Sequence, residues 1–579
     1  MILKALYDYY NRRGDLPAPG LEVKQIGFLL VISKEGKFLR FEDCRIDKNS
    51  ARTYLVMKHV GRSSAAVANY LYDNSAYVLG YSEKETGKEQ LYFDTFKARI
   101  KEICEAFPDN DDMKTLSAFY SQTREEIIAA ISVDPLWEDV KKSLSKKFST
   151  FSFRIEGDTK ILAEKRKILK LGDAPSDASA TRICLVTGHE GVPVETTTAT
   201  MIPGSQATAK LVAFQVNSGY DSYGKSKCDN APISEEAEFA YTTALNAMLA
   251  NGSHNKFRVG DRTFLFWASS NSEAAEQAEG GLFDLLGMTG KDDDDPNAKV
   301  GQVRKVFEAI YSGSLRTTLD DRFYILGLAP NSARIAVVYW SETSLKDFAG
   351  MILHHFDDMD IIDTRKDKKP YAGVGSMLSA VTMGGKQSDA TPNLPEVIVK
   401  SIFQGYPYPY TLFSSCIRRI RAESGEKNSV YAVRAAIIKA YLNRLNDNNN
   451  NKTIQPMLDK ENTNPGYLCG RLFAVLDKIQ EEANGISSIR ERYMNSASAT
   501  PSTVFATILN LSVHHAEKLN EGRRIYFEKL KQEILANIPA DGFPSHLDLQ
   551  DQGRFFVGYY HQRQEFFLKK DNQNEYNHQ

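Results

Sequence analysis

Apolar and polar residues follow two different patterns in the two parts of the chain. Before residue 395, short apolar runs rich in β-branched residues are separated by turn residues, a pattern typical of strands and hairpins. Ile26–Ile32, the turn KEGK and then Phe38–Phe41 predict one hairpin. RFYILGLAPNSARIAVVYW at 322–340 predicts two further strands around a turn.

After Pro395 the apolar positions take up helical spacing, and Leu468, Leu472 and Ile479 fall on one helical face. Several helices joined by short connections form an antiparallel bundle. The predicted fold class is therefore α+β, a mixed α/β N-terminal body with a C-terminal antiparallel helical bundle. The predicted helices cover residues 430–445, 464–483, 504–535 and 553–567.

Two segments differ in composition from the rest of the chain. The small-residue stretch 373–395 predicts a linker at a domain boundary. The acidic stretch 269–295, which contains KDDDDP, predicts a mobile loop. Because 579 residues are too many for one core, we expect three domains, 1–140, 141–390 and 395–579.

Charge is nearly balanced, with 72 basic and 74 acidic residues and a net charge of −2. A nucleic-acid role would therefore depend on local patches rather than on overall charge. The strongest patch is residues 141–170, with ten Lys/Arg and three Asp/Glu. A solvated helix face is the commoner outcome of such a run, and a surface for phosphates is the alternative.

The six cysteines are scattered and form no CxxC pair, so the sequence predicts neither disulfides nor a zinc site. No window reaches the length of a membrane span. We expect a cytoplasmic protein with no membrane contact, no metal and no cofactor.

One cluster suggests metal chemistry, HHFDDMDIIDTRKD at 354–367. Its carboxylates and imidazoles could ligate a metal and support a metal-dependent nuclease, but solvated acids at a strand–helix junction are more common. The sequence has no nucleophile elbow and no kinase signature. It predicts a protein that is not an enzyme, with the nuclease as the alternative. The candidate ligands are His354, His355, Asp357, Asp358, Asp360 and Asp363.

A polar loop lies within LVAFQVNSGYDSYGKSKCDNAPIS at 211–234. Small hydrogen-bonding residues and lysines could cradle a phosphate, but the nucleotide-binding spacings are absent. A phosphate contact and a surface turn both remain open.

Seven ordered blocks resemble the large subunit of the type I-C CRISPR Cascade complex, and together they span nearly the whole chain. The blocks are MILKALYDYYNRRGDLPAPGLEVKQIGFLLVIS, RSSAAVANYLYDNSAYVLGY, LVAFQVNSGYDSYGKSKCDNAPISEEAEFAYTTALN, FRVGDRTFLFWA, FYILGLAPNSARIAVVYW, NPGYLCGRLFAVLDKIQ and GRFFVGYYHQRQEFF.

This resemblance implies a non-catalytic subunit of an RNA-guided surveillance complex. The subunit would recognise the protospacer-adjacent motif in duplex DNA, promote strand opening and R-loop formation, and help recruit a helicase-nuclease. The implied partners are CRISPR RNA, target double-stranded DNA, the handle-binding and backbone subunits, a small subunit made from the same gene, and the helicase-nuclease.

The resemblance also implies a motif reader in KHVGRSSAAVANYLYDN at 58–74, where cations and amides suit base edges. The alternative is a helix that Ser63 or Ser64 caps and Asn74 ends. The candidate readers are Lys58, Arg62, Ser63, Ser64, Asn69 and Asn74.

Two further surfaces would hold nucleic-acid backbone. The polar loop would contribute Lys210, Ser222, Tyr223, Gly224, Lys225, Lys227 and Asn230. The basic patch would contribute Lys146, Lys147, Lys165, Arg166 and Lys167.

The helical C-terminal region resembles the Cascade small subunit, for which Met457 is a plausible internal start. Its candidate contacts to the target or displaced strand are Arg471, Arg490, Arg492, Lys518, Arg523 and Arg524. A solvated surface charge is the alternative for each of them.

Overall fold

A computed structural model describes most of the chain. The described residues are 2–47, 50–60, 65–84, 86–144, 149–165, 181–214, 221, 223–285, 296–365, 372–426, 428–446, 454–486 and 488–568. The chain divides into two compact units. The N-terminal unit comprises Tyr9–Thr198 and Phe214–Ala244, and the C-terminal unit comprises Met1–Asp8, Ala199–Ala213 and Leu245–Gln579. The three domains expected from the sequence stay a prediction.

The N-terminal unit is built on a four-stranded mixed sheet of order β3-β2-β8-β7, in which β2 and β8 run parallel. The predicted hairpin is confirmed, because Phe28 pairs with Asp43 and Leu30 with Phe41. Helix α1 (Ile2–Arg12), which has residues in both units, precedes the strands β1 (Leu21–Gln25), β2 (Phe28–Ile32), β3 (Phe38–Asp43), β4 (Arg45–Asp47), β5 (Ser50–Ala51), β6 (Thr53–Met57), β7 (Tyr72–Asn74), β8 (Thr150–Ile155), β9 (Arg182–Ile183) and β10 (Glu190–Gly191).

Helices pack against this sheet through an aromatic core, in which Phe28 stacks on Phe151 at 5.4 Å between ring centroids. Burying such rings is the main favourable term for this unit. The helices are α2 (Ser75–Val78), α3 (Glu89–Ala106), α4 (Asp111–Phe119), α5 (Arg124–Ser132), α6 (Trp137–Ser143) and α7 (Glu235–Leu249), the last of which has residues in both units.

The C-terminal unit contains a four-stranded antiparallel sheet of order β11-β12-β13-β14. The two strands predicted at 322–340 are confirmed as β13 and β14, joined by a tight turn. The strands are β11 (Lys256–Val259), β12 (Arg262–Ala268), β13 (Arg322–Asn331) and β14 (Arg334–Ser344).

The predicted C-terminal helical region is confirmed, and one continuous hydrophobic core joins it to this sheet, from Phe257 to Tyr560. Among the described residues, no helix is both long and apolar enough to cross a membrane. The helices of this unit are α8 (Glu273–Leu285), α9 (Pro296–Ser312), α10 (Leu345–Met359), α11 (Val374–Val381), α12 (Leu394–Gln404), α13 (Tyr410–Ala422), α14 (Ala432–Asn446), α15 (Pro465–Asn484), α16 (Ser488–Ala499), α17 (Pro501–Ala516), α18 (Glu521–Leu535) and α19 (Leu549–Glu565).

Helices α15 and α19 pack most closely, and they run parallel to each other. The sequence pattern predicted antiparallel neighbours instead. Asn464 forms a hydrogen bond with Asp551 near the start of both helices, and Asp477 forms one with Arg563 further along both helices. Glycines allow this approach, since a Cβ added at Gly466, Gly470 or Gly558 would lie well inside 3.0 Å of backbone atoms of the other helix.

Three predictions about individual segments are wrong. Part of the acidic stretch is α8, whose Ala274, Ala278 and Leu282 recur at helical spacing and are buried, while residues 286–295 of that prediction lie outside the described residues. The supposed linker contains α11, with Met377 and Leu378 fully buried. The single helix expected over 504–535 is two helices, because Asn520 caps the start of α18.

Candidate nucleic-acid interface

The block expected to read the DNA motif is a loop tied together at its base. It leaves β6 at Met57 and enters β7 at Tyr72. The Tyr72 hydroxyl donates to the Met57 carbonyl at 2.9 Å, and the Val60 amide donates to Asn69 Oδ1 at 2.9 Å. Both ends of the loop are therefore held. Arg62, Ser63 and Ser64, between these ties, lie outside the described residues.

A second set of bonds holds the returning half of the loop. The Asn69 amide donates to Asp73 Oδ2 at 3.0 Å, and the Ser152 hydroxyl donates to the Leu71 carbonyl at 2.8 Å. Leu71 has φ of 62°, a left-handed conformation that a branched side chain adopts only when its surroundings impose it. The sheet thus determines the path of the chain into β7.

These bonds decide where two of the expected base readers lie. Asn69 is buried and uses its side-chain oxygen within the loop. Asn74 Oδ1 accepts from Ala76 and Tyr77, so Asn74 begins helix α2. The alternative in which Asn74 ends a helix is wrong, because β7 precedes it. We therefore assign both asparagines to shaping the loop.

Lys58, at the start of the loop, is half-buried and engaged with the protein. Its Nζ donates to Thr198 Oγ1 at 3.0 Å, lies 3.9 Å from the Glu238 carboxylate and lies 5.4 Å from the centre of the Phe239 ring. Lys58 is thus placed to position the loop as well as to add positive charge beside it.

Glu22 of β1 ties the neighbouring strand to the same loop. Its carboxylate lies 2.9 Å from the Tyr72 hydroxyl, which shares its one proton between Glu22 and the Met57 carbonyl, and it pairs with His59 Nδ1 at 2.9 Å. Burial opposes ionisation of Glu22, but the hydrogen bond from His59 and the charge of Lys24 hold its pKa below the ordinary value.

The polar loop presents an exposed turn in the N-terminal unit. Tyr223 and Gly224 both have positive φ, 55° and 70°, and the Tyr223 and Lys225 side chains are exposed. Lys227 pairs with Glu195, and Asn230 Nδ2 donates to the Lys227 carbonyl at 3.2 Å. Ser222 lies outside the described residues. Lys210 belongs to the C-terminal unit, where its carbonyl accepts from the Ile335 amide.

In the basic patch, Lys165 is engaged with carboxylates. Its Nζ lies 2.7 Å from Asp112 and 2.6 Å from Asp158. Burial acts to lower the pKa of Lys165, but these two carboxylates raise it above the ordinary value. Lys165 therefore fastens the end of β8 to α4. Lys146, Lys147, Arg166 and Lys167 lie outside the described residues.

The six cationic residues predicted as strand contacts in the C-terminal helices differ in how deeply they are buried. Arg471 is fully buried and donates to Gln562 and Glu533, and Arg490 is buried beside Asp477. These two hold the helices together. Arg523 pairs with Glu482, with 2.9 Å between Nε and Oε2. The exposed cations of this set are Arg492, Lys518 and Arg524.

The residues of the possible nuclease site interact with different residues of the protein. His355 Nδ1 is 2.6 Å from the Tyr408 hydroxyl, Asp358 pairs with Arg444 and Asp357 with Arg304. Asp363 pairs with Arg365, and Asp360 and Asp363 line an open cavity of about 480 Å³. His354 is half-exposed, 3.7 Å from Asp358. In the part of the chain that the structure describes, no three His, Cys, Asp or Glu side chains gather as a metal-ligand set.

Two buried histidines give the C-terminal unit a pH-dependent stability. Burial, with nearby positive charge, lowers the pKa of His355 and of His561 to about 3. The unfolded chain binds these protons near the ordinary value of 6.5, so stability falls as pH drops below 6.5 towards 3. We expect a loss of about 2 kcal/mol per histidine between pH 6.5 and 5 in urea denaturation. A constant urea midpoint over this range would contradict the burial.

The residues that brace the loop were not found from the sequence. Tyr72, Asp73 and Ser152 act through bonds to the backbone across the sheet, and no local motif marks such bonds. The spacing of Asn69 and Asp73, four residues apart beside a strand, is the nearest available signal.

These features define a multi-domain α+β protein with a braced polar loop and an α-helical C-terminal region. The family model of the CRISPR-associated protein (Cas_Csd1) matches residues 6–567. The chain belongs to this family, which makes it a Cascade large subunit and confirms the resemblance at that level. A search of curated proteins finds no match to the chain.

Proposed function

We propose that the chain is the type I-C large subunit that recognises the protospacer-adjacent motif in duplex DNA. The observation that carries this proposal is the braced loop 58–71. Its base is tied by the Tyr72–Met57 and Asn69–Val60 bonds, while Arg62, Ser63 and Ser64 occupy the segment between the ties.

A loop whose two ends are fixed suits base reading because less conformational entropy is lost on binding than for a loop with free ends. An arginine can donate two hydrogen bonds to guanine in the major groove, and hydroxyl groups can reach other base edges. Lys58 and His59 at the loop base add donors near the DNA backbone. In this proposal Arg62 reads the motif, and Asn69, Asn74 and Lys58 hold the reader in place.

Once the motif is bound, the subunit promotes strand opening and R-loop formation and helps recruit the helicase-nuclease. Base pairing with CRISPR RNA then reads the target sequence. The subunit itself is not catalytic in this proposal. Its partners are the handle-binding and backbone subunits, and the exposed Arg492, Lys518 and Arg524 are candidate contacts to a DNA strand.

We also propose that Met457 starts a small-subunit product. Met457 lies in an irregular segment before α15, so the product would contain α15–α19 whole. In the full chain, α19 packs against α13 and α14, where Phe413 and Ile438 lie beside Gly553. The product would expose that face to a neighbouring subunit.

The test compares two target duplexes that differ only in the flanking motif, bound by the assembled complex with its guide RNA. We expect Arg62→Ala to reduce the ratio of the two affinities by about tenfold or more, since a bidentate arginine–guanine contact is worth about 1–3 kcal/mol. The matched control is Lys225→Ala, which removes an exposed cation of the polar loop, outside the braced loop 58–71. It should weaken both duplexes alike and reduce the salt dependence.

Binding measured at about 50 mM and about 200 mM salt separates the two roles. If Arg62→Ala weakens both duplexes equally, Arg62 contacts only phosphate and the proposed reading is wrong.

A further inference from the structure

The loop between α12 and α13 presents two exposed aromatic rings. Its sequence is GYPYPY, from Gly405 to Tyr410. The side chains of Tyr406 and Tyr410 are 57% and 59% exposed, whereas Tyr408 between them is 2% exposed. Two exposed rings within five residues of one loop form a pair of apolar faces that suits the binding of another flat group.

Buried contacts hold this loop rigid. The Arg444 guanidinium lies 4.3 Å from the centre of the Tyr408 ring, donates to the Tyr406 carbonyl at 2.6 Å and pairs with Asp358 at 2.6 Å. Pro407 and Pro409 fix φ on both sides of Tyr408. The backbone that carries the two exposed rings is therefore held in position before any ligand arrives, which lowers the entropic cost of binding.

The surface that continues from the loop along α13 is cationic and hydroxyl-bearing. None of the 13 residues of α13 is acidic. Ser414 and Arg418 follow Tyr410 at intervals of four residues, and so share its helical face. Arg418 is exposed and has no ion pair among the described residues. Aromatic rings beside a helix that carries cations and no acidic residue match the bases and phosphates of a nucleic-acid strand.

We propose that Tyr406 and Tyr410 form a stacking platform for unpaired bases of single-stranded DNA, with Arg418 contacting its backbone. This inference rests on the proposed function, because strand opening is what supplies unpaired bases. Four residues of extended chain span at most about 13–14 Å. A strand of several nucleotides is long enough to reach both rings, so each tyrosine can stack on its own base.

The experiment uses the assembled complex with its guide RNA and no target duplex. The probe is a 20-nucleotide oligodeoxythymidine with 5-iodouracil at several positions, and the matching oligouridine is a second arm. We expect photo-cross-links to peptides containing Tyr406 or Tyr410. We also expect Tyr406→Ala with Tyr410→Ala to weaken DNA binding at least tenfold. Tyr→Phe replacements should retain the binding, because they keep the ring.

The matched control is Tyr311→Ala, which removes a ring of similar exposure, 52%, from α9; its affinity should equal that of the wild type. Equal affinities for the double alanine variant and the wild type would overturn the proposal, as would cross-links found only elsewhere. Tighter binding of the oligouridine would assign the platform to RNA instead of DNA and would also overturn it. The probe carries no motif duplex, so a negative result in this experiment does not bear on motif recognition. If the test of motif recognition is negative, this experiment can still be interpreted.

Discussion

Gly470→Ala should destabilise the C-terminal unit by about 3 kcal/mol or more. Gly470 of α15 faces α19, and its added Cβ would lie well inside 3.0 Å of the Phe555 backbone. A flexible side chain could move aside, but a backbone carbonyl in a packed helix cannot move without separating the helices. Overpacking of this kind costs about 1–3 kcal/mol and more when the backbone must move. Urea denaturation of the purified chain measures the effect as a lower midpoint.

Gly522→Ala is the matched control for this substitution. Gly522 also lies in a helix, α18, but its nearest non-neighbouring atom is Asn520 Oδ1 at 3.7 Å, an ordinary contact. Alanine there should be neutral or stabilising by up to about 1 kcal/mol, since glycine costs helix stability. Equal effects of the two substitutions would show that α15 and α19 do not pack through Gly470.

Asp477→Ala should destabilise the same unit by about 3–5 kcal/mol. Asp477 is fully buried in α15 and accepts hydrogen bonds from the Tyr559 hydroxyl at 2.9 Å and Arg563 at 2.6 Å. Arg490 lies 3.6 Å away. Removing the carboxylate leaves the buried Arg490 without its anion, and leaves Arg563 with only the more distant Glu481 at 4.0 Å, an imbalance that is costly in an apolar interior.

The measurement is again the urea midpoint, with Glu482→Ala as the control. Glu482 pairs with Arg523 near the surface, where an ion pair contributes no more than about 1 kcal/mol. A loss for Asp477→Ala as small as that of the control would show that Arg490 and Arg563 reach solvent.

Periodicity was sufficient where one local pattern controls the structure. The β2–β3 hairpin, the β13–β14 hairpin and α15 were predicted because each has an unambiguous apolar repeat bounded by turn or capping residues. Helices α8 and α11 were missed because their acidic and small residues dominate the composition, although their buried faces keep helical spacing. The parallel pairing of α15 and α19 depends on contacts between residues far apart in the chain, which a single sequence does not reveal.

For the candidate interface, too, some features could be predicted from the sequence and others could not. The family resemblance implies a motif reader in the segment 58–74, and Arg62 within it remains the predicted reader. The sequence did not distinguish residues that face outwards from residues that hold the loop. Asn69 and Asn74 have the amides expected of a base reader, but Val60 and the start of α2 already use their oxygens. Likewise Arg471 has the expected charge, but it is fully buried.

The most direct test of the central claim places a photo-reactive side chain at position 63, inside the braced loop, in the complete complex. A matched probe at Val133, which is 84% exposed in the same unit, controls for collision. On binding a motif-bearing duplex, we predict a cross-link from position 63 to the base pairs of the flanking motif, reduced when the motif is changed. A cross-link from position 63 only to guide RNA, or no more DNA cross-linking than from position 133, would contradict the assignment of motif reading to this loop.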